Sequence, residues 1–139
     1  MRNFILLSGK NNLNNDYTIE RYIISQVKPN PKILFIPAAS LDSKRVIDNF
    51  YNQYNNFNVE INVLYLTKNV CIEEIKIEVA KSDILYFSGG NTKNLVNYLK
   101  MSGFDKLLQQ IDNKLIVGVS AGANMISKYG MGDSDAYFD

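Results

Sequence analysis

The chain has 139 residues, 46% of them hydrophobic, and its 15 basic side chains nearly balance its 14 acidic ones. A chain of this length buries roughly two-thirds of its unfolded surface, which predicts one globular domain over residues 1–139. The balanced charge argues against binding to nucleic acid or to a membrane surface, and no apolar run is long enough to span a membrane.

The chain begins with alternating strand-like and helix-like segments. Compact apolar runs predict buried strands over residues 3–8 and 32–36. An asparagine-rich loop over residues 9–15 separates the first strand from a helix, for which Asp16 is the predicted N-cap. The apolar positions of this helix recur at helical spacing: Ile19, Tyr22, Ile23 and Val27.

A second helix is predicted after Pro37, with Ser40 or Asp42 as its N-cap. Its predicted apolar face consists of Val46, Ile47, Phe50, Tyr51 and Tyr54. Residues 59–66 then alternate as a strand does. One face of that strand is predicted to carry Val59, Ile61, Val63 and Tyr65.

The second half of the chain continues the same alternation. A short helix fits the apolar spacing of Ile72, Ile75, Ile77 and Val79 moderately well. Residues 84–87 predict a fourth strand, and a helix follows from Asn91 until Gly103 interrupts it. Helical spacing resumes over residues 104–111, and residues 115–119 form the last predicted strand.

The alternation of strands and helices predicts a mostly parallel sheet with helices on both faces, that is, a three-layer α/β/α sandwich. In such sheets chemistry gathers beyond the carboxyl ends of the strands. Two turns rich in small residues follow the fourth and fifth predicted strands. We therefore expect these two turns to lie near each other.

The turn after the fifth strand contains a G-x-S-x-G pattern formed by Gly118, Ser120 and Gly122. In a strand-turn-helix elbow of this kind the serine is exposed in a strained turn, and its neighbours must lack bulk. Ser120 is therefore the candidate nucleophile, and the backbone N–H of Ala121 is a candidate oxyanion donor. A turn of small residues also serves close packing or phosphate binding, so the pattern alone does not decide between these roles.

The turn after the fourth strand contains Gly89 and Gly90. Without side chains in the way, their N–H groups can approach a substrate carbonyl and form an oxyanion hole together with Ala121. The alternative is that the glycines only permit a tight connection, with Asn91 as the cap of the following helix.

Three segments together resemble peptidase family S51, which includes peptidase E (aspartyl dipeptidase) and cyanophycinase. They are Phe87-Ser88-Gly89-Gly90-Asn91-Thr92, Gly118-Val119-Ser120-Ala121-Gly122-Ala123-Asn124 and Ile36-Pro37-Ala38-Ala39-Ser40. The resemblance implies a class I glutamine amidotransferase-like (flavodoxin-like) fold and a serine peptidase acting on short peptides, with Asp-X dipeptides as substrates. The family domain normally extends further, so residues 1–139 are expected to be the N-terminal part of a longer peptidase domain.

The sequence contains no histidine. A serine hydroxyl needs a base, usually a histidine oriented by a carboxylate. The resemblance implies a histidine later in the family domain, with Asp135 as its orienting acid and Asp133 as a close competitor; both aspartates also fit an ordinary solvated loop. Lys128, Lys93 or a carboxylate are the other candidate bases, and their spacing favours none of them.

Two hypotheses explain an elbow without a histidine. In the first, the chain is the front part of a longer serine peptidase and is inactive by itself. In the second, it is a natural relative that lost catalysis and acts as a binding module or partner subunit. A histidine encoded beyond Asp139 would distinguish them.

Other classes fit the sequence less well. A class I glutamine amidotransferase uses cysteine where this chain has Ser120, and an α/β-hydrolase esterase would have a His-Gly-Gly run before the elbow. Neither phosphate-binding glycine pattern of nucleotide binders occurs.

Cys71 is the lone cysteine, which excludes an internal disulfide and predicts a buried or half-buried small residue. The apolar run near the N-terminus is too short for a signal peptide, so a cytoplasmic location is expected. We predict no cofactor and no metal. The expected partners are a short peptide substrate and, as the commonest oligomeric arrangement, a second copy in a homodimer.

Overall fold

The computed structural model describes residues 3–7, 17–37, 43–66, 70–128 and 136–138. Strands and helices alternate along these residues as the apolar patterns predict. The elements are β1 (Asn3–Leu7), α1 (Thr18–Ser25), β2 (Lys32–Ile36), α2 (Ser43–Tyr54), β3 (Glu60–Val63), α3 (Ile72–Lys81), β4 (Ile84–Phe87), α4 (Thr92–Ser102), α5 (Phe104–Gln110), β5 (Leu115–Val119), α6 (Ala121–Lys128) and β6 (Ala136–Phe138).

The strands form one sheet in the order β3-β2-β4-β5-β1-β6, and every described pairing is parallel. Parallel strands end at the same edge of the sheet, so the carboxyl ends of the adjacent strands β4 and β5 lie side by side. Phe87 at the end of β4 pairs with Gly118 in β5. The predicted α/β fold with a mostly parallel sheet is therefore confirmed.

Side chains of each central strand point alternately into two apolar layers. In β1, Phe4 and Leu6 pack in the layer formed with α3, α4, α5 and α6. Ile5 and Leu7 pack in the opposite layer, formed with α1 and α2. Burial on both faces explains why the central strands are nearly continuous apolar runs.

The predicted bounds of β2, β4 and β5 are confirmed. The strand predicted over residues 59–66 was too long, because β3 ends at Val63. Beyond this end the alternation no longer holds: Tyr65 is 54% exposed, whereas Leu64 and Leu66 are buried. The prediction that Tyr65 shares a face with Val63 was wrong for this reason.

Two helical residues predicted in apolar stripes face solvent instead. Tyr51 is 43% exposed, because the buried stripe of α2 contains Ile47, Phe50 and Tyr54. Ile77 is 55% exposed, since it lies two residues from both buried positions of α3, Ile75 and Val79. A residue two positions away on a helix is turned about 200°, onto the opposite side.

The prediction that β5 is the last strand was wrong, because β6 follows α6 and pairs with β1.

Cys71 is exposed rather than buried, since it lies at the N-cap position of α3.

Several sequence predictions concern residues that the structure does not describe. The predicted loop over residues 9–15 and the predicted caps Asp16, Ser40 and Asp42 lie outside the described residues. Tyr17 occupies the N-cap position of α1. None of the helices in the described ranges is both long and apolar enough to cross a membrane.

Candidate active site

Ser120 lies alone between the end of β5 at Val119 and the start of α6 at Ala121. Its φ of 52° is in the left-handed region, which is costly for a residue with a side chain. Its N–H donates to the carbonyl of Leu7 at 2.7 Å, which ties the turn to the end of β1. The side chain is exposed. Strain held in place by the surrounding structure is typical of functional turns.

Gly118 and Gly122 permit close contact between backbones on both sides of Ser120. A β-carbon at Gly118 would lie 2.6 Å from the backbone carbon of Gly122. A β-carbon at Gly122 would lie 2.7 Å from the carbonyl oxygen of Phe87. Since backbone atoms cannot move aside as flexible side-chain ends can, α6 reaches this position against β4 and β5 only with glycine at both sites.

The turn after β4 lies against the turn after β5. A β-carbon at Gly89 would lie 3.4 Å from the β-carbon of Ser120 and 3.5 Å from the carbonyl oxygen of Val119. Gly90 is exposed and has a φ of 134°, a conformation that residues with side chains rarely adopt. The expected proximity of the two glycine-containing turns is therefore observed.

The N-termini of α4 and α6 both begin at this meeting point. Ala121 is the first residue of α6, so its N–H has no acceptor within the helix. Asn91 caps α4 by accepting a hydrogen bond from the N–H of Asn94 at 3.0 Å, as the alternative interpretation of this turn expected. The partial positive charges of the two helix ends favour negative charge beside Ser120.

A side-chain hydrogen bond that the sequence reasoning missed joins these helices. The amide nitrogen of Asn124 donates to the hydroxyl oxygen of Thr92 at 3.4 Å. Both residues lie in the first turns that follow the two glycine-containing segments. Thr92 and Asn124 also belong to the segments that carry the family resemblance, and this was the signal available in the sequence.

The predicted base and its orienting acid remain predictions. Asp133 and Asp135 lie outside the described residues, as does the side chain of Lys128. Lys93 is exposed on the first turn of α4. Among the described residues, no three histidine, cysteine, aspartate or glutamate side chains cluster as metal ligands.

A small cavity opens beside Gly89 on the face of the sheet that α2 covers. Its volume is about 160 Å3. The described residues that line it are Phe35, Val46, Asn49, Phe50, Gln53, Tyr86, Ser88, Gly89 and Val119. None of these side chains carries a charge. The sequence reasoning missed this cavity, although Asn49 and Gln53 follow Val46 near the apolar stripe of α2.

Behind the cavity lies a group of buried polar side chains. The amide nitrogen of Gln53 donates to Oε2 of Glu20, which is only 1% exposed. The other carboxylate oxygen, Oε1, and the hydroxyl of Tyr54 have no hydrogen-bond partner among the described residues. Burial, together with the nearby Glu20 carboxylate, raises the pKa of Tyr86; burial and the neighbouring Tyr86 and Glu20 raise the pKa of Tyr54.

Comparison with known families gives this geometry a context. The family model for peptidase family S51 matches residues 4–138, which include both turns. The chain belongs to peptidase family S51. Its resemblance to this family, inferred from three short segments, is thereby confirmed.

Two related proteins are described as uncharacterized peptidases. YgaJ of Bacillus subtilis (strain 168) is 32% identical over 120 residues, a match that covers 84% of this chain and 52% of that protein. PM1590 of Pasteurella multocida (strain Pm70) is 37% identical over 102 residues, covering 70% of this chain and 48% of that protein. The chain therefore spans about half the length of these curated relatives.

Two solved structures share the fold. A protein from Listeria monocytogenes EGD-e, assigned as a peptidase E, superimposes with a TM-score of 0.72 and 27% identity, covering 88% of this chain and 60% of that chain. A peptidase from an acI-B1 Actinobacterium superimposes with a TM-score of 0.61 and 20% identity, covering 88% of this chain and 56% of that chain. At that identity the second likeness shows the fold alone.

Proposed function

We propose that this chain carries the nucleophile and oxyanion hole of a serine peptidase that hydrolyses short peptides. Membership of family S51 supports a peptidase. The observation that carries the serine mechanism is the closeness of the two turns, in which exposed Ser120 lies beside Gly89 and precedes Ala121, whose N–H has no acceptor within α6. This arrangement suits acyl transfer, because a nucleophile and amide donors share one edge of the sheet.

The proposed reaction follows the usual course of acyl transfer. A base takes the proton of the Ser120 hydroxyl while the oxygen of that hydroxyl bonds to the peptide carbonyl carbon. The N–H of Ala121, with that of Gly89 or Gly90, stabilises the resulting oxyanion. One such donor lowers the free-energy barrier of the reaction by roughly 3 kcal/mol. The C–N bond breaks, the amine leaves with the proton, and water then releases the acyl group from Ser120.

The base in this scheme is a histidine that the 139 residues do not contain. In the family resemblance it comes from a later part of the peptidase domain and is oriented by Asp135 or Asp133. The same resemblance implies dipeptides of the Asp-X type as substrates. Both features are part of the proposal.

The absence of histidine favours a second candidate, a catalytically inactive binding module or partner subunit with the same fold. Loss of the base from a serine triad leaves a residual rate about a thousandfold above that in water. Such a chain would retain peptide binding at the turns but show no turnover in an ordinary assay.

Labelling with a fluorophosphonate separates the two candidates. For the serine peptidase we expect stoichiometric labelling at Ser120 in the complete natural protein, which on this proposal includes the histidine, detected by intact-mass and peptide mass spectrometry. The Ser120→Ala variant should not be labelled, and the neighbouring Ser88→Ala variant, which keeps the nucleophile, should still be labelled. A folded complete natural protein that does not react would favour the binding module. Parallel assays with an Asp-X dipeptide and an ester would distinguish a peptidase from an esterase.

A further inference from the structure

We infer that the cavity beside Gly89 is a subsite for an uncharged side chain with a polar end, and that Gln53 and the buried Glu20 behind it select against a carboxylate there. This inference rests on the proposed function, because it assumes that a peptide bond lies at Ser120. In an Asp-X dipeptide the cavity would therefore take the side chain of X.

The position of the cavity makes it a subsite rather than an isolated void. Gly89 forms part of its wall and at the same time contacts Ser120. Val119, the residue before Ser120, forms another part of the wall. A peptide with its carbonyl between the two turns would therefore place a neighbouring side chain at the mouth of the cavity.

The size of the cavity suits one side chain. At about 160 Å3, it is close to the ~150 Å3 cavity that holds benzene in another protein. Phe35 and Phe50 provide stacked aromatic rings with centroids 4.0 Å apart. Such an apolar wall favours the aliphatic part of a ligand side chain over water.

The polar groups of the cavity favour a hydrogen-bonding but neutral end. Asn49, Gln53, Tyr86 and Ser88 contribute amides and hydroxyls, and no described lining residue is basic. Because the amide nitrogen of Gln53 donates to Glu20, the amide oxygen of Gln53 is the end left to accept a hydrogen bond. A substrate amide can donate to this oxygen, whereas a substrate carboxylate cannot.

The buried Glu20 adds a charge effect in the same direction. Its carboxylate is held directly behind Gln53 and has one oxygen without a donor among the described residues. A second carboxylate in the adjacent cavity would be repelled, and shielding by water is weak in a buried environment. Glu20 thus acts as a positioning residue for Gln53 and as a source of negative potential.

Calorimetric binding of dipeptides to the Ser120→Ala form of the full chain tests the subsite without turnover. Asp-Asn and Asp-Gln are compared with Asp-Asp and Asp-Glu, which match them in shape. We expect the amide-containing peptide of each pair to bind at least about tenfold more tightly, since only an amide can donate to the oxygen of Gln53 and a carboxylate is repelled by Glu20. Equal affinities, or no binding by any of the four peptides, would overturn the inference.

Substitutions on one helix provide a matched control. Asn49 is exposed at the rim, so Asn49→Arg should fold and reverse the preference in favour of Asp-Asp. Asn52→Arg adds the same charge to an exposed position of α2 that does not line the cavity, and should leave the preference unchanged. Glu20→Gln, which keeps the size of the side chain, should reduce the discrimination. If the two arginine variants change the peptide preference equally, the assignment of the cavity as the subsite is contradicted.

This design separates the subsite from the proposed reaction. If fluorophosphonate labelling of Ser120 in the complete natural protein fails but the amide peptides still bind selectively, the assignment of Ser120 as the nucleophile is wrong and the subsite is supported. If Ser120 is labelled but the matched peptides bind equally, the assignment of the subsite is wrong and the assignment of Ser120 as the nucleophile is supported.

Discussion

A β-carbon added to Gly89 would lie 3.4 Å from the β-carbon of Ser120. The closeness of Gly89 and Ser120 is a consequence of the sheet register. Phe87 pairs with Gly118, and Gly89 and Ser120 each follow two residues later, in the turns beyond the ends of β4 and β5. Residues that are distant in sequence are thus brought into contact by adjacent parallel strands ending at one edge.

The Gly89→Ala variant should affect reactivity more than stability. Its added methyl group would be in ordinary van der Waals contact with Ser120, so we expect the free energy of unfolding to change by less than about 0.5 kcal/mol. The same methyl group would crowd the side chain of Ser120, because it would lie 3.4 Å from the Ser120 β-carbon. We expect the fluorophosphonate labelling rate to fall by at least about tenfold, the loss associated with roughly 1.4 kcal/mol of barrier. Unchanged labelling would contradict the proposed role of Gly89.

The Gly122→Ala variant should show the opposite balance. Its β-carbon would lie 2.7 Å from the carbonyl oxygen of Phe87, a backbone atom that cannot rotate away. We expect a loss of about 2 kcal/mol or more in the free energy of unfolding, measured by urea denaturation, because overpacking forces the backbone to shift. Gly89→Ala is the matched control for adding a methyl group. If both variants unfold at the same urea concentration, α6 does not approach β4 as closely as the distance at Gly122 indicates.

The sequence predicts the centre of this fold better than its edges. Strands β2, β4 and β5 are buried on both faces, so their apolar runs mark their bounds directly. In contrast, β3 and β6 lie at the two edges of the sheet. At an edge, the apolar pattern no longer reports pairing, which is why Tyr65 was misplaced and the strand Ala136–Phe138 was missed.

The candidate site was predictable in part for a similar reason. Glycine and serine in two turns after central strands are visible in the sequence, and the parallel sheet brings such turns together. The polar group behind the cavity depends on a hydrogen bond between α1 and α2, in which Glu20 and Gln53 are 33 positions apart. An acidic residue within the apolar spacing of α1 was the available signal, but its partner on α2 cannot be derived from spacing alone.

The Ser120→Gly variant should be more stable than Ser120→Ala. Both lack the hydroxyl, but glycine tolerates the φ of 52° at this position, whereas a β-carbon there costs about 1–2 kcal/mol. The greater entropy of glycine in the unfolded chain offsets about 0.5–1 kcal/mol of this gain. Urea denaturation should therefore give a difference of up to about 1.5 kcal/mol in favour of Ser120→Gly. An alanine variant that is more stable than the glycine variant would mean that the turn is not strained.

Two buried tyrosines should make the protein sensitive to alkali. Burial raises the pKa of both Tyr54 and Tyr86 in the folded state, while in the unfolded chain each titrates near 10. Below pH 10 both residues are protonated in both states and have no effect on stability. Above it, the unfolded chain loses protons that the folded chain retains, so the free energy of unfolding falls by about 1 kcal/mol per tyrosine between pH 10 and 11. Urea denaturation at both pH values measures this fall.

The double variant Tyr54→Phe and Tyr86→Phe tests whether these two residues cause the alkaline sensitivity. Phenylalanine has no proton to lose, so the fall in the free energy of unfolding between pH 10 and 11 should shrink by about 2 kcal/mol relative to the parent chain. Tyr51→Phe is the control, because it removes a tyrosine hydroxyl from the same helix at a residue that is 43% exposed. A double variant that is as sensitive to alkali as the parent would mean that other groups are responsible, and that the layer between α2 and the sheet admits water to these hydroxyls.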